Sequence, residues 1–178
     1  MADFTDCLPV PVMLDEGPTP FGPVYLAATP RGLCRVTIPG ETLGDLMSWL
    51  ERKLPRCSVE PRPGYLAREM AALEAFLADG TPLPDVAIDL IGTPFQRSVW
   101  DAVLEVPYGE TRSYAEIAAR IGHPRASRAV GAANAVNPLP LIVPCHRVIG
   151  ADGSIKGFPG GIITRRSLLE REGYQQPN

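Results

Sequence analysis

The chain has 178 residues and a mass of 19.2 kDa, which is long enough to bury a hydrophobic core without disulfides or metals. With 45% hydrophobic and 21% charged residues and a mean hydropathy of +0.01, its composition excludes wholesale disorder. Residues 1–6 lack the basic and apolar segments of a secretory signal, and no apolar run approaches the length of a membrane-spanning helix. The formal net charge of −3 argues against a basic nucleic-acid-binding protein.

The charge is distributed unevenly along the chain. Residues 1–90 carry seven basic and thirteen acidic side chains, a net of −6, whereas residues 91–178 carry ten and seven, a net of +3. Residues 111–166 hold eight basic side chains and two acidic ones. The acidic average therefore conceals a cationic segment of the kind that faces nucleic acid.

The four cysteines, Cys7, Cys34, Cys57 and Cys145, are scattered and have no CxxC spacing. This pattern predicts neither a disulfide framework nor a zinc site. A reducing cytosolic or nuclear setting is the expected environment.

In chain order, residues 1–23 contain five prolines and are predicted to form an irregular arm. Residues 24–28 and 33–38 read as two strands joined by a turn at 29–32. Apolar residues at helical spacing predict helices over 43–54 and 65–77, the second closed by Gly80, and a strand follows over 86–91. These elements predict a small α/β domain that ends near residue 92.

The second half is predicted to be mostly helical. Residues 95–106 form an amphipathic pattern with Val99, Trp100, Val103 and Leu104 facing inward, and Pro107 ends it. A helix over 113–121 begins with Ser113 and Glu116 at capping-box spacing, and a second helix covers 126–136. Two short helices joined by a Gly-containing turn are typical of a helix-turn-helix, although any helical hairpin has the same pattern.

The second helix of this pair consists almost entirely of small residues, with Arg128 as its long side chain. Close helix packing inside the core explains such a helix. A helix backbone that approaches a narrow partner, such as a nucleic-acid groove, explains it equally well.

Cys145 follows an apolar run and directly precedes His146 and Arg147. A thiol has a pKa near 8.5 and needs a base or cationic neighbours to become a nucleophilic thiolate at neutral pH. Adjacent residues of a strand point to opposite faces, so only a turn would bring the imidazole to the sulfur. Without further context, a buried structural cysteine beside a surface histidine is the favoured interpretation.

The sequence from Pro144 to Val148, preceded by Asn137-Pro138 and followed by Gly160-Gly161, resembles the active-site signature of the O6-alkylguanine-DNA alkyltransferases, also called methylated-DNA–protein-cysteine methyltransferases. The resemblance runs continuously over residues 93–173. Further matching residues are Phe95, Trp100, Pro107-Tyr108-Gly109-Glu110, Ser113-Tyr114, Arg128-Ala129-Val130-Gly131 and Leu168-Leu169-Glu170-Arg171-Glu172-Gly173.

The resemblance implies a two-domain architecture, in which residues 1–92 form a small ribonuclease-H-like α/β domain. Residues 93–178 would form a mostly helical, winged-helix-like catalytic domain with a DNA-binding helix-turn-helix. The implied partner is double-stranded DNA that carries O6-alkylguanine, with O4-alkylthymine as an alternative substrate. We expect a cytoplasmic monomer, associated with the nucleoid if bacterial, without a membrane partner, a small-molecule cofactor or a bound metal.

The resemblance also implies a single-turnover transfer of the alkyl group to Cys145. His146 would take the thiol proton through a water, with Glu172 orienting the imidazole. Tyr114 would supply a proton or hydrogen bond to a ring nitrogen of the departing guanine, and Asn137 would brace the turn around Cys145.

The alkylated base would be flipped out of the duplex from the minor groove, with Arg128 filling the vacated stack. The DNA contacts implied with it are Ser113, Tyr114, Ala126, Ala129 and Gly131. The substrate pocket would be walled by Pro140, Val148, Lys156, Gly157, Phe158, Pro159 and Gly160. Pro159 departs from the small or polar residue common in the family, which bears on pocket width.

Two other functions fit part of the pattern. A lesion-binding module would use the same helix-turn-helix without transferring the alkyl group, although relatives of that kind commonly replace the acceptor cysteine with Trp. A cysteine hydrolase would need an oxyanion site, for which the sequence offers nothing beyond Cys145 and His146.

Overall fold

The first half of the chain forms a four-stranded sheet. The computed structural model describes residues 9–38, 40–155 and 165–175. Strands β1 (Val10–Thr19), β2 (Gly22–Thr29) and β3 (Gly32–Val36) are antiparallel neighbours, and β4 (Cys57–Pro61) runs parallel to β1. The order across the sheet is β3-β2-β1-β4, which confirms the predicted hairpin.

Two predictions for this half are wrong. The predicted irregular arm contains β1, the strand that lies between β2 and β4. Pro11 and Pro18 lack backbone donors, but the φ angle of proline lies within the extended region, so the strand continues through both. The predicted strand over residues 86–91 is reduced to a single bridge between Ile88 and Leu33, since only two backbone hydrogen bonds join this segment to β3.

The two predicted helices of this half are present and cover opposite faces of the sheet. Helix α1 (Leu43–Lys53) buries Leu46 and Leu50 with Val12, Ala27 and Cys34. Helix α2 (Ala67–Asp79) ends at Gly80, whose φ of +84° is a conformation that glycine adopts readily. The buried stripe of α2 consists of Met70, Leu73, Phe76 and Leu77.

In the second half, the described residues form four α-helices, a 3-10 turn and a short strand pair. The helices are α3 (Pro94–Leu104), α4 (Tyr114–Arg120), α5 (Ser127–Ala135) and α6 (Arg165–Arg171), and β5 (Arg112–Ser113) pairs in parallel with β6 (Val148–Ile149). The predicted capping box of α4 is confirmed, since Ser113 and Glu116 exchange side-chain-to-backbone hydrogen bonds of 2.7 and 3.2 Å. Leu104 is 37% exposed, contrary to the prediction, because the buried face of α3 is formed by Val99, Trp100 and Val103 and Leu104 lies beside it.

The larger hydrophobic core continues through both halves of the chain. It joins side chains of β2 and α2 to those of α3, α5 and α6, including Leu26, Phe76, Trp100, Val130 and Leu168. Trp100 also donates its indole N–H to the Ala133 carbonyl at 3.0 Å, which ties α3 to α5. None of the helices in the described ranges is long and apolar enough to cross a membrane.

Candidate active site

Cys145 opens a single 3-10 turn (Cys145–Arg147) that leads into β6. It is 3% exposed, and this burial raises the pKa of its thiol. A hydrogen bond with the Asn137 side chain and the positive charge of Arg165 oppose the rise, because both favour the thiolate. The site therefore surrounds a shielded sulfur with groups that stabilise its ionised form.

The other described cysteines lack this environment. Cys34 is fully buried, and its thiol lies 3.3 Å from the Ala27 carbonyl oxygen. Burial, together with the charge of Asp89, raises the pKa of Cys34 to about 12, so this thiol stays protonated at neutral pH. Cys57 is half-buried on β4, and Cys7 lies outside the described residues.

The loop before Cys145 is held by Asn137. The Asn137 amide donates to the Val143 carbonyl at 2.9 Å, and its oxygen accepts from the Leu139 N–H at 3.0 Å. Within this loop Leu141 has a φ of +74°, a strained conformation for a bulky side chain that surrounding contacts must maintain. The loop conformation therefore depends on the hydrogen bonds of one buried amide.

The edge of the N-terminal sheet also holds this loop. The Pro138 carbonyl accepts the Val36 N–H at 3.0 Å and the Arg35 guanidinium at 3.3 Å. Arg35 is in turn paired with Glu41 and lies over the Trp49 ring, with 5.9 Å between its Cζ and the ring centroid. The outer edge of β3 thus fixes the backbone that leads to the cysteine.

His146 and Arg147 both converge on Glu172. The Nε2 atom of His146 lies 2.8 Å from Glu172 Oε1, and Arg147 donates two hydrogen bonds to the same carboxylate at 2.8 and 2.9 Å. The Gly109 N–H donates a further hydrogen bond to Glu172 Oε2 at 3.1 Å, so the carboxylate has four polar contacts. Burial opposes ionisation of Glu172, but these donors outweigh it and lower its pKa to about 2. Glu172 is therefore a carboxylate at neutral pH.

The environment of His146 favours the neutral imidazole. Its side chain is fully buried, and burial lowers its pKa although Glu172 acts in the opposite direction. A neutral ring that donates from Nε2 to the carboxylate has a free lone pair at Nδ1. This Nδ1 has no hydrogen-bond partner among the described residues, so it is positioned to accept a proton.

Tyr114 is paired with a residue to which the sequence assigned no role. Arg165, buried at the start of α6, donates to the Tyr114 hydroxyl at 2.6 Å and to the Val148 carbonyl at 2.6 Å. Arg165 lies 51 positions from Tyr114 along the chain, so no local sequence pattern indicates this contact.

A cavity of about 710 Å³ brings most of these groups together. Its wall includes Cys145, Tyr114, Asn137, Pro140 and Arg165, together with residues of α1 and α5. Three other residues that the sequence assigned to the site, His146, Val148 and Glu172, are buried. The predicted pocket residues Lys156, Gly157, Phe158, Pro159 and Gly160 lie outside the described residues.

The predicted DNA contacts lie on and around α4 and α5. Ser113 caps α4, and Ala126 precedes α5. Arg128 and Ala129 are exposed on α5, as are Ala132 and Ala135, whereas Val130, Ala133 and Asn134 are buried. A Cβ atom added at Gly131 would lie 3.7 Å from the Tyr114 ring, an ordinary contact distance, so packing alone does not demand glycine there.

Comparison with known proteins gives consistent matches. Residues 94–174 match the family described as 6-O-methylguanine DNA methyltransferase, DNA binding domain. The methylated-DNA–protein-cysteine methyltransferase of Mycobacterium tuberculosis is 45% identical over 160 residues, which cover 89% of this chain and 91% of the relative. The Mycobacterium leprae protein of the same name is 42% identical, covering 88% and 90%. The chain belongs to the methylated-DNA–protein-cysteine methyltransferase family.

This methyltransferase family member also resembles solved structures along most of its length. The crystal structure of Mycobacterium tuberculosis OGT in complex with DNA superposes with a TM-score of 0.75 at 43% identity, covering 90% of this chain and 92% of that one. The family membership predicted from residues 93–173 is confirmed, and the matches extend into the N-terminal half. Within the described part of this methyltransferase, no cluster of three or more His, Cys, Asp or Glu side chains could hold a metal ion.

Proposed function

We propose that the protein repairs DNA by transferring the alkyl group of O6-alkylguanine irreversibly to its own Cys145. The observation that carries this proposal is the burial of a thiol at a cavity wall beside a neutral histidine and an ionised glutamate. A nucleophile, a base and a group that orients the base are the parts that such a displacement requires.

In the proposed mechanism the thiol proton passes through a bridging water to Nδ1 of His146. The imidazolium that forms is stabilised by Glu172, which holds Nε2 at 2.8 Å. The thiolate attacks the alkyl carbon, a C–S bond forms, and the bond between that carbon and O6 breaks. The electron pair of that bond goes to the guanine, and Tyr114 delivers a proton to a ring nitrogen of the base. Arg165 stabilises the phenolate left on Tyr114. The thioether is not a leaving group, so Cys145 is used once.

DNA binding is proposed to take place through α5 in the minor groove. The exposed Ala129, Ala132 and Ala135 favour a partner that approaches the helix closely, because these small residues do not pack in the core. Arg128 is exposed on the same helix and would enter the base stack when the damaged nucleotide is flipped into the cavity. Ser113, Ala126 and Gly131 would approach the backbone of the duplex.

The finer architecture is also part of the proposal. Residues 1–92 are proposed to form a ribonuclease-H-like domain, which the three antiparallel strands, the helix and the parallel fourth strand support. Residues 93–178 are proposed to form a winged-helix-like catalytic domain around α4 and α5. We place the protein in the cytoplasm as a monomer that works without a cofactor, on the nucleoid in a bacterial cell.

Intact-mass spectrometry tests the transfer. Incubation with a duplex that contains one O6-methylguanine is expected to add about 14 mass units to the protein, once and at Cys145. No adduct, with binding to the damaged duplex retained, would favour a lesion-binding module instead. Repeated turnover would contradict single use of the cysteine.

Arg128→Ala is expected to slow repair of duplex DNA by about 100-fold while changing reaction with the free alkylated base by less than about twofold, because only the duplex has to be opened. Single-turnover rates on the two substrates measure this difference. Arg62→Ala, which removes an exposed arginine directly after β4, is the matched control and is expected to leave both rates unchanged. Equal losses on both substrates in Arg128→Ala would show that Arg128 does not act by opening the duplex.

A further inference from the structure

The Arg147 guanidinium is held from three sides. Its Nε and Nη2 donate to the two oxygens of Glu172 at 2.8 and 2.9 Å, and its Nη1 donates to the Val106 carbonyl at 2.7 Å. The Tyr108 ring covers one face, with 5.5 Å between the guanidinium Cζ and the ring centroid. A two-point contact of this kind fixes the plane of a carboxylate as well as its position. Arg147 therefore sets the orientation of Glu172.

Tyr108 is itself anchored between the two halves of the chain. Its hydroxyl donates to the Gly80 carbonyl at the end of α2 and lies 3.3 Å from the Arg171 carbonyl oxygen. A Cβ atom added at Gly80 would lie 2.5 Å from this Arg171 oxygen, so the end of α2 packs closely against the residue before Glu172. The ring against Arg147 thus belongs to a packed junction that holds the guanidinium in place.

The charge of Arg147 bears on the state in which His146 meets Glu172. A buried carboxylate that has an imidazole as its one polar partner attracts a proton onto the ring. An imidazolium has no free lone pair and cannot accept the thiol proton. Here Glu172 Oε1 contacts both His146 Nε2 at 2.8 Å and Arg147 Nη2 at 2.9 Å, so the carboxylate already has a permanent cation as its counterion.

The charged groups that act on His146 come from its own turn and from the end of the chain. Burial lowers the pKa of His146, and the charges of Arg147 and Arg165 lower it further, whereas Glu172 raises it. The α2 side chain beside the imidazole is apolar, since it is the Phe76 ring, 6.1 Å away between centroids. Arg147 is the cation bonded directly to the anion that favours protonation of the ring.

We propose that Arg147 is a positioning residue for the transfer: as the counterion of Glu172, it holds the carboxylate in place and leaves His146 a neutral ring that can accept the thiol proton. The inference rests on the proposed function, because it concerns the base of the same site. Arg147 lies outside the cavity wall that the structure describes, so it acts through Glu172 and not on the substrate. A salt bridge that only stabilised the fold would not change how the rate depends on pH.

Single-turnover transfer from a duplex with one O6-methylguanine, measured from about pH 6 to about pH 9, tests this role. Arg147→Met removes the charge and keeps most of the side-chain length. It is expected to slow transfer about tenfold near pH 7, because more of His146 is protonated, and less than about threefold near pH 9, where the ring is neutral again. Arg147→Lys keeps the charge without the planar fork, and is expected to keep the wild-type pH dependence with rates within about threefold.

Arg31→Met is the matched control. Arg31 also donates from Nε and Nη2 to both oxygens of a buried carboxylate, that of Asp89, at 3.1 and 2.9 Å. This pair lies in the N-terminal half, outside the described cavity wall, so the variant is expected to keep the wild-type rate at every pH.

A wild-type rate in Arg147→Met, or a loss of the same size at every pH, would overturn the inference. So would a pH-dependent loss in Arg147→Lys equal to that in Arg147→Met, because the charge would then not be the cause. If circular dichroism shows that Arg147→Met does not fold, Arg147→Gln, a neutral side chain that still donates to a carboxylate, takes its place with the same expected outcomes. Wild-type protein that takes up no methyl group at any pH would instead overturn the proposed function, so the two failures are distinct.

Discussion

Replacing Cys145 with serine is expected to abolish alkyl transfer while leaving the affinity for damaged duplex within about twofold of wild type. A serine hydroxyl is far less acidic and less nucleophilic than a thiol, and His146 alone cannot compensate within the same geometry. Serine fits the site because its hydroxyl is smaller than the thiol that it replaces, and Cys145 is only 3% exposed in a packed wall. Intact mass after exposure to O6-methylguanine DNA, together with a binding titration, measures both quantities.

Cys57→Ser is the matched control for this variant. Cys57 is half-buried on β4 and lies outside the cavity wall that the structure describes, so the variant is expected to take up one methyl group like wild type. Methyl transfer to Cys145→Ser protein, or its loss in Cys57→Ser, would contradict the assignment of Cys145 as acceptor.

Glu172→Gln is expected to lower the rate of alkyl transfer by about 100-fold, because the imidazole loses the charge that stabilises its protonated form. The same variant is expected to lose about 3 kcal/mol of unfolding free energy, since the buried His146 and the half-buried Arg147 lose their carboxylate partner. Single-turnover kinetics and urea unfolding provide the two measurements. Affinity for duplex DNA is expected to remain close to wild type, because Glu172 is buried behind the cavity.

The pH dependence of stability tests the same residue independently. The folded-state pKa of Glu172 is about 2, below its ordinary value, so the unfolded chain takes up a proton more readily as the pH falls. Wild type is therefore expected to lose stability progressively as the pH falls from about 5 to about 2, by roughly the amount that two pKa units represent. Glu172→Gln should show a shallower dependence in this window. Glu105→Gln, which removes the exposed partner of Arg120, is the control and should keep the wild-type slope. If Glu172→Gln also kept the wild-type slope, the assignment of Glu172 as an ionised carboxylate in the folded protein would be contradicted.

Local signals predicted local structure well. Ser113 and Glu116 form the predicted capping box because both partners lie within one helical turn. Gly80 ends α2 for an equally local reason, its positive φ. The strand β1 was missed because its prolines resemble strand breakers, whereas sheet pairing with both β2 and β4 decides its conformation.

The candidate site shows the same contrast between local features, which the sequence predicts, and long-range contacts, which it does not. Cys145 and His146 stand out in the sequence because a nucleophile and a base are adjacent. The pairing of Glu172 with His146, 26 positions away, came from the family resemblance and not from spacing. The contacts of Arg165 could not be predicted, because they depend on which distant side chains the fold brings near.

The hydrophobic core shared by both halves makes the second half of the chain an unsuitable fragment on its own. A chain cut near residue 92 would expose apolar faces of α3 and α6 that are now buried with β2 and α2. It would also free the Pro138 carbonyl from Val36 and Arg35, so the strained backbone before Cys145 would lose part of its support. Chimaeras between relatives should therefore tolerate exchange of exposed helix surfaces better than a crossover at the midpoint of the chain.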